Sequence, residues 1–368
     1  MKYKSFQNIT LSRLGLGNMR LPLVDPDKPN SEINYEEAHK IIDRAKENGI
    51  NYFDTAYVYN SGDSEKCLGA CMTKYPRDSF YLADKFNHHA NPDYEAVFEE
   101  QLKRLQTDHI DFYLLHCILD GNADDYLNCG CIEYFEKQKE LGRIRYLGFS
   151  SHAGTETLRR FAEFRKWDFA QIQLNYFDWY YGTAKEEYQI LFENNIPIMV
   201  MEPVRGGRLS KLSEDAEAIL KKAHPDWSIS SWALRFVKSL PGVQVILSGM
   251  SSLEQMDDNL ATFDDDERLS EEDVNTLKKA LDLFRASIVV PCTACRYCTD
   301  GCPMQINIPE YLKVYNAWKT EGSEALGGLK DVVSEGTPDM CIQCGACQTV
   351  CPQSIAIPDL LKELAEAK

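Results

Sequence analysis

The sequence has no excess of basic residues, no long apolar run and no export signal. Lysine and arginine together number 40 against 57 aspartates and glutamates, so the formal net charge is −17. A strongly acidic protein repels phosphate backbones and anionic lipid heads. No run approaches the roughly 18 apolar residues of a membrane helix, and the first residues, MKYKSFQNIT, contain no apolar signal core. These absences predict a cytoplasmic protein that binds neither nucleic acid nor membranes.

The sequence also lacks the G-x-G-x-x-G fingerprint of the Rossmann dinucleotide fold. A nucleotide cofactor would therefore need another type of fold, such as a barrel that holds it through phosphate-binding loops. Complete disulfide pairing is disfavoured as well, because the 13 cysteines are odd in number. In a chain without an export signal, reduced thiolates that hold metal are the better interpretation.

Eight of the thirteen cysteines fall in two matching stretches, VPCTACRYCTDGCP and DMCIQCGACQTVCP, whose period is 49 residues. Each stretch has three cysteines at two-residue gaps, then a fourth cysteine, a proline and an Ile-x-Ile-Pro sequence. Two-residue gaps let three thiolates from one loop converge on a single cubane, whereas the longer gap and the proline turn the fourth thiolate away. The pattern predicts two iron-sulfur clusters.

This double motif resembles the bacterial two-cluster ferredoxins, in which the fourth cysteine of each run ligates the other cluster. The resemblance implies a first 4Fe-4S cluster on Cys292, Cys295, Cys298 and Cys351. It implies a second 4Fe-4S cluster on Cys341, Cys344, Cys347 and Cys302. Zinc in sites of four cysteines is the alternative, but such sites rarely need a third cysteine at the same step.

Before the cysteine-rich region, short apolar runs alternate with amphipathic stretches. The eight runs are RLGLGNMRL, NYFDTA, FYLADKF, DFYLLH, YLGFS, FAQIQL, PIMVMEP and VQVILSG. After the first of them, Ala38, Ile41, Ile42 and Ala45 share one helical face, and Gly49 marks the end of that helix. Eight strand-helix units predict an α/β fold, namely a (β/α)8 TIM barrel whose active site lies at the C-terminal ends of the strands.

The predicted barrel covers residues 1–285, and a small, largely helical ferredoxin-like domain covers residues 286–368. Between the two cysteine runs, Tyr311, Val314 and Tyr315 recur at helical spacing. These aromatic and apolar side chains predict a helix that packs around the clusters.

Four polar residues stand at or just after the ends of three barrel runs: Asp54, Tyr59, Lys85 and His116. This set resembles the catalytic tetrad of the aldo-keto reductases. The resemblance implies that Tyr59 protonates a carbonyl oxygen as hydride reaches the carbon, while Lys85, paired with Asp54, eases proton release from the phenol. It also implies that His116 orients the carbonyl. Tyr57 is the rival acid, but the five-residue step from Asp54 favours Tyr59.

The same resemblance implies a nicotinamide cofactor. It maps the carboxamide contacts onto Ser150, Ser151 and Gln171, and the adenine contact onto Asn259. Arg205, followed by two glycines and Arg208, is a candidate contact for the pyrophosphate. The alternative for this stretch is a turn with solvated arginines.

Four positions depart from the family pattern. Ser151 stands where the family usually has an asparagine. Met201 stands where the family commonly stacks an aromatic ring on the nicotinamide, and Gly249 and Gln255 stand where NADPH-preferring members carry a lysine and an arginine. The sequence therefore leaves NADH, NADPH and a bound flavin open as cofactors.

The two halves of the sequence imply different electron chemistry. Hydride passes from nicotinamide to a carbonyl with both electrons together, whereas a cubane exchanges one electron at a time. The first hypothesis is an oxidoreductase for a small carbonyl or alcohol whose clusters exchange electrons with a ferredoxin or flavoprotein partner. The second is a plain NAD(P)H-dependent reductase with a structural or regulatory ferredoxin domain. The third, of another class, is a non-catalytic electron carrier or redox sensor.

Overall fold

The computed structural model describes residues 1–26, 31–285 and 288–367, and these form two compact units. The barrel unit contains residues 1–24, 32–204 and 230–269. The cluster unit contains the remaining described residues, which are 25–26, 31, 205–229, 270–285 and 288–367. The sequence predicts a domain boundary after residue 285, next to residues 286–287, which lie outside the described residues. This boundary stays a prediction.

Eight parallel strands close into a barrel in which neighbours in sequence are neighbours in space, with the last strand paired to the first. Each strand coincides with one of the eight apolar runs, so the TIM-barrel prediction is confirmed. The strands are β3 (Leu14–Gly17), β4 (Tyr52–Asp54), β5 (Tyr81–Phe86), β6 (Ile110–Ile118), β7 (Ile144–Ser151), β8 (Phe169–Gln173), β9 (Ile198–Met201) and β10 (Val243–Ser248).

An N-terminal hairpin covers the end of the barrel at which the strands begin. Its antiparallel strands are β1 (Tyr3–Phe6) and β2 (Ile9–Ser12). Phe6 packs against Phe112 and Tyr146, with ring centroids 5.4 and 5.0 Å apart, and belongs to the barrel's interior core. Apolar side chains fill this end of the barrel. A polar site is therefore expected at the opposite end, where the strands finish.

The barrel helices follow the strands, and the first of them shows how sequence sets their boundaries. The Asn34 side chain accepts a hydrogen bond from the Glu37 backbone N–H and caps the helix, and Gly49 follows its end with φ of 90°. The four predicted face residues are all buried. The helices are α1 (Tyr35–Glu47), α2 (Asp63–Met72), α3 (Tyr94–Leu105), α4 (Ala123–Asn128), α5 (Cys131–Glu140), α6 (Thr155–Phe164), α7 (Tyr176–Tyr181), α8 (Ala184–Glu193), α10 (Ile229–Lys238) and α11 (Leu253–Thr262).

The cluster unit is largely helical, as expected, and the two copies of the sequence motif are each followed by a helix. Both Ile-x-Ile-Pro sequences open a helix with proline in the first turn, and their isoleucines are buried in one core with the cysteines. Tyr311 and Tyr315 of the predicted helix are buried in the same core. The helices are α9 (Glu214–Ala223), α12 (Glu271–Arg285), α13 (Tyr297–Asp300), α14 (Ile308–Glu321), α15 (Ala346–Thr349) and α16 (Ile357–Glu366).

Within the described ranges, no helix is both long enough and apolar enough to cross a membrane.

Gly69 controls the approach of α2 to α3. A Cβ atom at Gly69 would lie 2.5 Å from the Arg104 carbonyl oxygen and 2.8 Å from Leu105 Cα, which are backbone atoms that no rotamer change can move. Gly69→Ala gains about 1 kcal/mol in helix propensity, but overpacking typically costs about 1–3 kcal/mol and more where backbone must move. We expect a net loss of stability in urea unfolding. Gly121→Ala, with nothing within 4 Å of its Cβ position, is the control, and equal stability of the two variants would contradict the packing argument.

Candidate active site and cluster sites

Four buried side chains meet where the strands finish. Asp54 is the last residue of β4, Lys85 and His116 lie near the ends of β5 and β6, and Tyr59 begins a short 3-10 turn after β4. Their exposed fractions are 3% for Asp54, 7% for Tyr59, 0% for Lys85 and 4% for His116. The structure therefore brings together the four residues that the tetrad resemblance named.

Lys85 is the centre of this group. Its Nζ donates to Asp54 Oδ1 at 2.6 Å and to the Thr55 carbonyl oxygen at 2.5 Å, and it lies 4.8 Å from the centroid of the Tyr59 ring. The Tyr59 and His116 rings are 5.7 Å apart and meet edge to face. The ammonium, the phenol and the imidazole thus lie within reach of one small reacting group.

Tyr57, the rival acid, is engaged elsewhere. Its hydroxyl donates to Glu100 Oε2 at 3.0 Å, and its ring lies under the Arg104 guanidinium at 4.6 Å. These contacts leave Tyr59 as the tyrosine beside Lys85.

Burial and neighbouring charges make Lys85 protonated and His116 neutral. Burial acts to lower the pKa of Lys85, but the negative charge of Asp54, followed by that of an ionised Tyr59, outweighs it and the net shift is upward. Burial raises the pKa of Asp54, and the Lys85 ammonium opposes that shift. We regard the pair as ionised, because a lysine with a raised pKa stays protonated at neutral pH. Burial, helped by the charge of Lys85, holds the pKa of His116 well below its ordinary value, so its imidazole is neutral.

A second layer behind Lys85 was not found from the sequence. Asp84 Oδ1 accepts from the Lys85 backbone N–H at 2.8 Å, and Gln101 Nε2 donates to the Lys85 carbonyl oxygen at 3.1 Å and to Glu65 Oε1 at 3.0 Å. Arg104 Nη1 donates to Glu65 Oε2 at 2.7 Å. Burial, together with the Glu65 carboxylate, raises the pKa of Asp84 well above its ordinary value. Asp84 therefore keeps its proton to a higher pH than an ordinary aspartate does.

The residues expected to contact the nicotinamide lie on neighbouring strands at the same end of the barrel. Ser150 and Ser151 end β7, and Gln171 of β8 pairs in register with Ser150. All three are buried, and Gln171 Nε2 lies 3.6 Å from the Met201 sulfur. Asn259 lies on α11, and its Nδ2 donates a hydrogen bond of 2.8 Å to Oγ of Ser248, the last residue of β10. Their roles in nucleotide binding stay predictions.

Arg205 lies in the cluster unit, in the segment that follows β9. It is 2% exposed, and its guanidinium donates to the Pro291 carbonyl oxygen and to Gln353 Oε1, both at 3.3 Å. Its side chain is thus not solvated. Contact with a pyrophosphate stays a prediction.

The eight motif cysteines line two separate cavities of the cluster unit. Each cavity takes three cysteines from one run and the fourth from the other run, which is the crossed arrangement that the ferredoxin resemblance implies. The first cavity has Cys292, Cys295, Cys298 and Cys351. The second cavity has Cys302, Cys341, Cys344 and Cys347.

The donor set of each cavity fits a 4Fe-4S cluster. Four thiols line each cavity, and its other walls are mostly apolar, among them Leu312 and Ile355 in the first cavity and Ile306 and Leu361 in the second. A single zinc ion needs its sulfurs about 2.3 Å from one point. In the part of the chain that the structure describes, no three histidines, cysteines or carboxylates are grouped so tightly that they could hold one metal ion. A 4Fe-4S cluster takes one thiolate at each of its four iron atoms, and each set supplies four cysteines.

A closed parallel (β/α)8 barrel with a buried tyrosine, lysine, aspartate and histidine at the strand ends is the arrangement that the aldo-keto reductase resemblance implies. The sequence pattern of the Aldo/keto reductase family matches residues 13–282, and that of the 4Fe-4S dicluster domain matches residues 291–356. The chain belongs to the aldo/keto reductase family and carries a C-terminal dicluster domain.

Similar proteins include oxidoreductases from several organisms. The uncharacterized oxidoreductase YqkF of Bacillus subtilis is 27% identical over 76% of this chain and 96% of its own length. The NADH-specific methylglyoxal reductase of Escherichia coli is 24% identical over 70% of this chain and 91% of its own length. Among solved structures, the holo form of aldo-keto reductase AKR11C1 from Bacillus halodurans has a TM-score of 0.63 and 27% identity, and covers 76% of this chain and 96% of its own.

Asp84 should make stability fall as pH rises. Its pKa is raised on folding, so its contribution is fully present below the pKa of the unfolded chain and is lost as pH rises toward the folded pKa. Asp84→Asn imitates the protonated side chain and removes this dependence. We expect its stability relative to wild type to increase with pH above about 4, by at most about 1.4 kcal/mol per pH unit, in urea unfolding at several pH values. Exposed Asp78→Asn is the control, and a pH-independent difference for Asp84→Asn would contradict this assignment.

Proposed function

We propose that this protein is an iron-sulfur oxidoreductase that reduces a small carbonyl compound, or oxidises the corresponding alcohol, with Tyr59 as general acid and base. The observation that carries this proposal is the position of the Lys85 ammonium. It is fully buried, 2.6 Å from Asp54 Oδ1 and 4.8 Å from the centroid of the Tyr59 ring. A buried cation beside a phenol has a clear chemical use.

The cation makes a weak acid usable. An ordinary phenol titrates at about pH 10, and the positive charge of Lys85 stabilises the phenolate that remains after Tyr59 donates its proton. Asp54 keeps the lysine charged in a buried site. His116, neutral because of its burial, can donate a ring N–H to the carbonyl oxygen and hold it toward Tyr59. In alcohol oxidation the phenolate accepts the proton instead.

NAD(P)H supplies the hydride in this proposal. Ser150, Ser151 and Gln171 would hold the carboxamide, and Asn259 would contact the adenine. The names of similar proteins include both nucleotides: the Escherichia coli relative is NADH-specific, and the yakc reductase of Schizosaccharomyces pombe, 28% identical over 55% of this chain, is named for NADP(+). We leave the choice of nucleotide to experiment.

The clusters, when bound, supply one-electron transfer, and we propose that a ferredoxin or flavoprotein is the external partner. The second cysteine set favours this role because it lies close to solvent. Cys344 is exposed, and the neighbouring Met340 and Ile342 side chains are 42% and 61% exposed. A partner could therefore approach these ligands closely.

A plain reductase with a structural cluster domain is the second candidate. Its support is the core of the cluster unit, in which Ile306, Tyr311, Leu312 and Leu361 pack around the cysteines. Clusters in such a core would contribute to folding whether or not they carry electrons during turnover.

Replacement of Tyr59 by phenylalanine tests the acid. We expect Tyr59→Phe to lower kcat for carbonyl-dependent NAD(P)H oxidation by about 10²- to 10⁴-fold, with the fold retained, because only the hydroxyl is lost. Methylglyoxal and simple aldehydes are suitable probes, in anaerobic steady-state assays. Tyr57→Phe is the matched control, since its hydroxyl contacts Glu100. Full activity of Tyr59→Phe would rule out the proposed acid.

The role of the clusters in turnover is tested by electron paramagnetic resonance. We expect excess NADH or NADPH, added anaerobically to the holoprotein before any carbonyl, to produce the signal of reduced clusters, and a bound flavin should then be sought as the carrier between hydride and single electrons. No signal, together with nicotinamide consumption once a carbonyl is added, would favour the plain reductase.

A further inference from the structure

Two cysteines outside the cluster motifs lie one residue apart between α4 and α5 of the barrel unit. Cys129 directly follows α4, and Cys131 is the first residue of α5. Gly130, which separates them, has φ of 84°, a left-handed conformation that glycine adopts without steric cost. Neither cysteine takes part in a disulfide in this structure.

Both thiols contact the same backbone oxygen. The Tyr126 carbonyl oxygen, near the end of α4, accepts from Cys131 Sγ at 3.6 Å and from Cys129 Sγ at 3.9 Å. Carbonyl groups at the end of a helix lack helical partners, so these S–H groups act as a cap. Burial raises the pKa of the Cys131 thiol, and the neighbouring Cys129 sulfur, through its charge and a hydrogen bond, raises it further. Cys131 therefore keeps its S–H proton at neutral pH.

The two thiols differ in access to solvent. Cys129 is partly exposed, whereas Cys131 is fully buried. A small reagent in solution thus meets Cys129 first, and Cys131 is the sulfur that lies next to it. A disulfide closed through a single residue forms a short ring, and strained disulfides are the easily reduced ones that serve regulation.

Tyr126 connects this cysteine pair to the candidate active site. Its hydroxyl donates to the His116 carbonyl oxygen at 2.6 Å and accepts from the His88 backbone N–H at 3.1 Å. The Tyr126 ring is fully buried, so it has little freedom to move by itself. The thiols hold the backbone of this tyrosine, and its side chain holds the backbone of His116.

We propose that Cys129 and Cys131 form a reversible disulfide that lowers the activity of the enzyme under oxidising conditions. The oxidant is a low-molecular-weight disulfide, R–S–S–R. The Cys129 sulfur, after losing its proton, attacks one sulfur of the oxidant, forms a mixed disulfide and releases one R–SH. The Cys131 sulfur then displaces the second R–SH and closes the Cys129–Cys131 bond. The protein loses two electrons and two protons, and the oxidant gains both.

The disulfide changes what holds α4. Its sulfurs carry no hydrogen, so the Tyr126 carbonyl oxygen loses both S–H donors, and the new bond draws Cys129 toward Cys131. Both changes act on the end of α4 and displace the Tyr126 hydroxyl from the His116 backbone. Formation of the disulfide is independent of the proposed function, whereas its effect on turnover rests on the role proposed for His116.

The test treats the reduced holoprotein with glutathione disulfide under anaerobic conditions, followed by differential alkylation and peptide mass spectrometry. We expect a Cys129–Cys131 disulfide and unchanged visible absorbance of the clusters. We also expect kcat for carbonyl-dependent NAD(P)H oxidation to fall about tenfold, because small displacements of an orienting group are costly. Dithiothreitol should restore the activity.

Serine variants provide the comparison. Cys129→Ser and Cys131→Ser keep a hydroxyl donor, so they should retain the activity of the reduced enzyme and should not lose it on treatment. Cys67→Ala, which removes a buried cysteine of α2, should remain as sensitive as wild type.

Three results would overturn the inference: both thiols still free after treatment, glutathione retained on Cys129, or equal turnover of the reduced and disulfide forms. Equal loss of activity in Cys129→Ser, together with loss of cluster absorbance, would assign the sensitivity to the clusters and would overturn it as well. A protein that forms the disulfide but reduces no carbonyl compound in either state would overturn the proposed function and, with it, the effect on turnover, while the disulfide itself would be confirmed.

Discussion

A buried ion pair is the constraint on which the candidate active site depends. Lys85 Nζ lies 2.6 Å from Asp54 Oδ1, and water reaches neither side chain to any extent. Removing one partner of such a pair leaves an uncompensated charge, at a cost of about 3–5 kcal/mol. The partners stay together because β4 and β5 are adjacent parallel strands, with Asp54 opposite Ala83 in the ladder. The pairing of β4 with β5 thus keeps the buried Lys85 ammonium beside the carboxylate that compensates its charge.

Around this pair, environment assigns a different protonation state to each titratable group. Lys85 is charged because Asp54 faces it, His116 is neutral because it is buried near that cation, and Asp84 holds a proton because it is buried beside Glu65. The second layer also holds the backbone of Lys85 in place on both sides, through Asp84 and Gln101. General acid-base chemistry requires neighbouring titratable groups whose pKa values differ in this way.

The cluster unit solves a different electrostatic problem. Its cysteine sets come from a repeated motif, and the chain segments cross so that each cavity draws on both copies. The repeat fixes the ligands but not their surroundings, since Arg296 lines the first cavity, whereas no charged side chain lines the described wall of the second. One chain therefore combines a site suited to paired electrons with two sites suited to single electrons.

Much of this molecule was determined by local sequence. Eight apolar runs became eight strands, and the face of Ala38, Ile41, Ile42 and Ala45 became the buried side of α1. The grouping of the motif cysteines is the one that the ferredoxin resemblance implied. Periodicity and motif spacing carry such information because they depend on neighbours within a few residues. Tertiary structure decided the rest. The effect of Glu65 on the pKa of Asp84, the hydrogen bond of Tyr57 to Glu100, and the contacts of Arg205 with Pro291 and Gln353 join residues far apart in sequence. No local pattern encodes such pairs, because they exist only once the barrel has closed and the two cysteine runs have come together.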